Sequence, residues 1–304
     1  MEANLRWSLV AALAPIAWGT TYFVTREVLP ADHPLYGALL RALPAGVILL
    51  AVARKLPTGS WWWKSLVLGT LNMGAFFALI YVAAQLLPTS IASTIMATSP
   101  MAMMLLAWAM VAERPRILSL IGAAVGLGGV GLLLAGGGGA VHPVGVLASL
   151  GAMLMSSVGY VLAKRWNSRD VDVLASTSWQ LIAGGLMLLP AVLIIEKTPP
   201  VLDVPAILGF AYVSIIATAL AFAAWFLALR HLSAGTVGLI GLLNPVTGVV
   251  LGTAIAGDLL DPAQWLGLVL VFTGVALGQP LLRRLRVVHG VGPRSSRQQR
   301  HAGE

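Results

Sequence analysis

Long apolar runs alternate with short polar breaks along almost the whole chain. The runs fall at 8–29, 35–53, 65–87, 89–111, 117–135, 143–163, 173–195, 206–229, 233–256 and 264–282. Most are close to the roughly 20 residues that a helix needs to cross the hydrocarbon of a bilayer. They do not alternate in and out as barrel strands do, so helices are predicted. The breaks carry turn and charge signals: Pro30 to Pro34, Arg54 to Pro57, Glu113 to Arg116, Gly136 to Gly139, and Thr198 to Pro200. Leu86-Leu87-Pro88-Thr89-Ser90 is uncharged and predicts a tight hairpin between the third and fourth spans. Arg6 and the apolar stretch after it resemble a signal peptide. That stretch runs on past Trp18 and Tyr22 without a small-residue cleavage site, so it is read as the first span.

Composition agrees with the pattern. Of 304 residues, 58% are hydrophobic and 10% charged, against roughly 25% charged in an ordinary soluble domain. Mean hydropathy is +0.89. With no cysteine, disulfide staples, thiolate metal sites, iron–sulfur clusters and cysteine nucleophiles are excluded. The net charge of +8 is a topology signal more than a nucleic-acid signal. With the N-terminus inside, Arg6, Arg54, Lys55, Lys64, Arg114, Arg116, Lys164, Arg165, Arg169 and Arg230 lie on the inner face. Arg26 and Lys197 lie outside, a bias of ten to two before six tail arginines are added. Both termini are then cytoplasmic.

The sequence also repeats itself. A shift of 145 residues lays Pro245 on Pro100, Asp258 on Glu113, Gly267 on Gly122 and Gly274 on Gly129. Earlier in each half a shift of 139 lays Gln180 on Arg41 and the apolar pattern after it on that of span two. Each half holds five spans, so the second enters from the opposite side. Residues 1–140 are read as the first repeat, 141–286 as the second and inverted one, and 287–304 as a basic cytoplasmic tail. The predicted fold is an all-α membrane protein, ten transmembrane helices in two inverted five-helix repeats around a central cavity.

Ser99-Pro100, Glu113, Gly122 and Gly129, doubled as Asn244-Pro245, Asp258, Gly267 and Gly274, resemble the EamA type of the drug/metabolite transporter superfamily. The likeness runs to about residue 282, and Asp258 departs from the glutamate of the pattern. It implies ten helices about a cavity, no catalysis, and export of small metabolites, often amino acids. Within the superfamily the chain looks most like the YddG-type exporters of aromatic and other amino acids. A non-transporting scaffold or regulator, or an exporter of a different small metabolite or drug, remains the alternative.

Transport needs polar groups inside the membrane, where they are costly. No Asp or Glu lies in the core of a span; Glu27, Glu113 and Asp258 stand at ends. A proton therefore has no obvious seat, and facilitated diffusion by alternating access is expected. Arg41 is the one basic residue well inside a span. It either snorkels to the outer interface or faces the cavity to draw a substrate carboxylate. One arginine is too little for a phosphorylated substrate.

Pro100 and Pro245 remove a backbone hydrogen bond and free a carbonyl near Met96 and Gly241, producing either a kink or a cavity lining. Ser99 and Asn244 stand beside these helix breaks. Trp18, Tyr22, Phe77, Tyr81, Trp108, Tyr160, Trp179, Trp225 and Phe226 lie deep, where each either packs or lines a soft aromatic pocket. Asn72, Thr94, Ser156, Ser157 and Thr218 supply hydrogen-bonding groups, and Gln180 does so opposite Arg41. The glycines of spans five and ten are assigned to close helix packing.

No H-E-x-x-H, phosphate loop or G-x-S-x-G is present, and no enzymatic activity, cofactor or metal is expected. The substrate is expected to be an amino acid. The lipid bilayer is the other partner, nucleic acid is not one, and a monomer is the default assembly. The bacterial inner membrane is the expected location.

Overall fold

The computed structural model describes residues 2–28, 30, 33–87, 89–135, 142–166, 171–256 and 261–279. Among the described residues, helix makes up most of every apolar run named above. In chain order the helices are α1 (Glu2–Val28), α2 (Pro34–Ala53), α3 (Trp61–Gly69), α4 (Ala75–Leu86), α5 (Thr89–Met96), α6 (Ser99–Val111) and α7 (Ile117–Leu133). They continue as α8 (Pro143–Trp166), α9 (Val173–Ala191), α10 (Val204–Ser214), α11 (Ala221–His231), α12 (Ala234–Ile240), α13 (Leu243–Ala256) and α14 (Pro262–Gly278). Among the described residues six stretches are long and apolar enough to cross a membrane, Pro34–Ala53 and Val204–His231 among them.

The surface identifies the solvent. Leu9, Leu13, Ile117, Leu147, Val269 and Phe272 are exposed on the outside of the bundle, Ile117 to 77%. A water-soluble monomer does not present apolar patches on this scale. The chain is an all-α membrane protein.

Two features break the plain helical pattern. The third and eighth apolar runs each widen into a π-helical turn, Thr70–Gly74 between α3 and α4 and Ile215–Leu220 between α10 and α11. A third such turn, Val192–Glu196, ends α9. The fourth and ninth runs are split outright, at Ala97-Thr98 and at Gly241-Leu242. A proline stands in the first turn after each split, where its missing N–H costs nothing.

Glycine sets the closest helix pairing. A Cβ on Gly122 would meet the Gly274 carbonyl at 2.6 Å, and one on Gly129 would meet the Gly267 carbonyl at 2.7 Å. The low-numbered glycine of α7 faces the high-numbered one of α14 and the reverse, so the two helices run antiparallel. Backbones approach this closely only where no side chain intervenes. Gly46 of α2 sits against Leu181 and Ile182 of α9 in the same manner, with Gly185 against Leu43.

Polar contacts gather at the two ends of the bundle. At one end Ser8 donates to Gln279 (2.7 Å), Trp7 stacks on His231 (3.7 Å between centroids), and Lys55 pairs with Asp172 (3.9 Å). Glu113 pairs with Lys164 (2.5 Å) at this same end. At the other, Glu196 accepts from the Leu35 and Tyr36 amides that open α2, at 2.6 and 2.8 Å.

Candidate functional site

The centre of the bundle is aromatic. Trp18 of α1 lies 5.0 Å from Phe222 and 5.2 Å from Trp225 of α11, centroid to centroid. Tyr160 of α8 meets Trp225 at 5.5 Å and Phe226 at 5.9 Å, both edge-on. Residues 222, 225 and 226 share one face of α11 by helical spacing, which is why one helix supplies three rings. The ring cluster backs onto the split between α12 and α13. A Cβ on Gly241 would lie 3.3 Å from the Trp225 indole, and one on Gly19 would collide with Asn244 and Thr247. Gly238 of α12 in turn sits against Pro100 of α6, so segments next to the two splits touch.

Three polar atoms here are buried without a hydrogen-bond partner: the indole nitrogens of Trp18 and Trp225 and the Asn244 Oδ1. Trp225 is only 2% exposed. Leaving a buried group unpaired costs about 1–3 kcal/mol, and an unpaired group in a native fold calls for a reason. Two donors and an acceptor around aromatic faces are what a small polar ligand with a ring would use.

Arg41 reaches this region from α2. Its Nε donates to Thr218 Oγ1 at 3.1 Å and its Nη2 to the Ala217 carbonyl at 3.4 Å. The guanidinium carbon stands 4.8 Å from the Phe77 centroid, a cation–π contact. Thr218 and Ala217 belong to the π-helical turn 215–220. Such a turn shifts the backbone hydrogen-bond register and opens a carbonyl to a side chain.

The matching place in the other half is filled differently. Gln180 of α9 reaches the π-helical turn 70–74, where Asn72 Nδ2 donates to its Oε1 at 2.9 Å. Gln180 Nε2 closes onto the Ser176 carbonyl at 3.1 Å. Asn72 is fully buried, and Gly159 of α8 presses on its amide. This is an internal amide pair in which Asn72 Oδ1 keeps no partner.

The structure thus brings Trp18, Arg41, Phe77, Tyr160, Trp225 and Asn244 into one region and pairs Asn72 with Gln180 beside it. It does not bring Trp179 there. The Trp179 indole donates to the Lys55 carbonyl at 2.8 Å and its ring packs on Trp61, at the charged end of the bundle. Trp108 points outward and is 54% exposed. Thr94 and Ser99 are half-buried on α5 and at the start of α6. Ser156 and Ser157 turn back on Met153 within α8.

The carbonyl of Gly241, which Pro245 was expected to free, accepts from the Asn244 amide at 3.0 Å; the split closes into a tight turn. The side chains of Tyr22, Glu27 and Tyr81, and Asp258, Gly136 to Gly139 and the tail, lie outside the described residues. Phe222 and the three π-helical turns are features that the sequence did not disclose. Tyr212 is another, its hydroxyl 2.6 Å from Thr20 Oγ1.

A family model described as the EamA-like transporter family matches residues 5–135 and again 143–278. The chain is 35% identical to Protein PecM of Dickeya dadantii, over 89% of this chain and 91% of that protein. It is 28% identical to the uncharacterized inner membrane transporter YedA of Escherichia coli K12, over 86% and 87%. A crystal structure of a protein 23% identical in sequence superposes with a TM-score of 0.78, covering 92% of this chain and 98% of the other, a likeness of fold.

Proposed function

The chain belongs to the EamA-like transporter family, and from that premise we propose that it exports small metabolites, amino acids with aromatic side chains among them, by alternating access. The observation that carries this reading is the set of unpartnered atoms around the ring cluster. An amino acid brings a carboxylate that needs donors, an ammonium that needs acceptors and a side chain that needs apolar or aromatic surface. The indole N–H groups of Trp18 and Trp225 and the guanidinium of Arg41 answer the first. Asn244 Oδ1 answers the second, and the faces of Trp18, Tyr160, Phe222 and Trp225 answer the third. Thr94, Ser99, Tyr22 and Tyr81 complete the proposed substrate path, with Phe77 holding Arg41 in place.

Two inverted five-helix repeats, 1–140 and 141–286, would rock about this site. The antiparallel glycine seam between α7 and α14 and the doubled family match support that arrangement. The lysine and arginine bias supports cytoplasmic termini in a bacterial inner membrane. Substrate then moves down its own gradient, because Arg41 stays protonated throughout and no carboxylate sits in the core of a span.

The test is uptake of labelled tryptophan and labelled threonine into liposomes holding the purified chain. Saturable flux above protein-free liposomes is expected for tryptophan. No flux of either would return the chain to the reading of a scaffold or a carrier of another metabolite.

A further inference from the structure

A denser cluster of basic side chains than the lone Arg41 lies elsewhere in the molecule. At the charged end of the bundle a cavity of about 430 Å³ lies between the loop after α6, the end of α8 and the turn from α11 to α12. Arg114, Arg116, Lys164, Arg230 and His231 line it, with Glu113 as the one acid. The acid is already occupied. Its Oε1 pairs with Lys164 at 2.5 Å and its Oε2 accepts from the Ala234 amide at 3.0 Å. Lys164 is held further by the Leu232 carbonyl, and Arg230 by that of Val171 at 3.1 Å. The side chains of Arg114 and Arg116 make no hydrogen bond or ion pair with another described residue. The pocket therefore carries a surplus of positive charge and two guanidinia with planar, two-pronged donor sets to spare. Guanidinium forks match the paired oxygens of phosphates and carboxylates. The volume falls in the range of small-ligand sites.

We propose that this cavity is an anion-binding site for a phosphate or carboxylate group, with Arg114 and Arg116 as its binding residues. The same chemistry is presented by the headgroup of an anionic phospholipid and by a free oxyanion in the aqueous phase. The site is separate from the aromatic centre and shares no residue with it.

The test uses the full chain in detergent at constant ionic strength, following thermal unfolding against four probes. These are inorganic phosphate, acetate, short-chain phosphatidylglycerol and short-chain phosphatidylcholine. Saturable stabilisation by a few degrees is expected from an oxyanion probe and not from phosphatidylcholine. A response to phosphatidylglycerol alone identifies a lipid headgroup; a response to phosphate or acetate identifies a soluble anion. The double variant Arg114→Gln and Arg116→Gln removes two exposed contacts and should weaken the effect about tenfold. Glu113→Gln keeps an oxygen for the Ala234 amide while removing the competing negative charge, and should tighten anion binding several-fold. No anion-specific shift in the wild type, or one that persists undiminished in the double arginine variant, would overturn the proposal. So would weaker binding in Glu113→Gln.

Discussion

The internal sequence repeat lays Gln180 on Arg41, and each reaches a π-helical turn of the other half. What they find there differs. Gln180 meets Asn72 in a buried amide pair that also engages the Ser176 carbonyl, leaving Asn72 Oδ1 without a partner. Arg41 meets a hydroxyl and a long contact to a carbonyl and lies over Phe77, and the neighbouring ring cluster holds two unpaired indole donors. The family model matches both halves, and at these two positions their chemistry differs. One side became a structural clasp; the other retained unspent hydrogen bonds beside a permanent charge.

The largest effect that can break this contrast lies at Arg41. Arg41→Met keeps the length of the stem and removes the charge. Flux of labelled tryptophan should fall about 10- to 100-fold, the worth of a charge-assisted hydrogen bond, while the protein still unfolds cooperatively. Gln180→Leu should do the converse. It strands Asn72 Nδ2 in a fully buried place, so stability should drop by about 1–3 kcal/mol, read by denaturant or thermal unfolding. Flux per folded molecule should hold.

A smaller effect is expected where the unpaired donors sit. Trp225→Phe or Trp18→Phe keeps the aromatic face and deletes one N–H. Tryptophan flux should fall about fivefold for the loss of one neutral hydrogen bond. Stability should stay level or rise, because an unsatisfied buried donor is gone. The smallest effect concerns protons. With equal tryptophan on both sides of the membrane, an imposed pH gradient should drive no net accumulation. Accumulation abolished by an uncoupler would place a proton carrier in the path.

How much of this the sequence disclosed follows from what lipid does to sequence patterns. Apolar runs near 20 residues and prolines at matching positions located the helices and both splits. Which way a residue faces was not legible, since a helix in lipid is apolar all round and carries no amphipathic stripe. Trp108 was therefore counted among the deep rings although it points out, and Phe222, which packs on Trp18, was passed over. Trp179 misled for another reason. It lies only six residues into α9, and its indole reaches back to the Lys55 carbonyl at the bundle end. The π-helical turns have no compositional signature; they are visible only as carbonyls and side chains brought into unusual partnership. The polar residues fared better. Asn72 and Gln180 are costly in a membrane and are buried against each other, while Arg41 and Asn244 are half-buried.

The most direct measurement sets the two matching positions side by side. Counterflow of labelled tryptophan would be followed in liposomes carrying equal amounts of folded wild type, Arg41→Met and Gln180→Leu. Near-wild-type rates for Gln180→Leu, together with a loss of at least about tenfold for Arg41→Met, are the predicted result. Equal losses in both variants, or full activity in Arg41→Met, would contradict the assignment of one side as site and the other as scaffold.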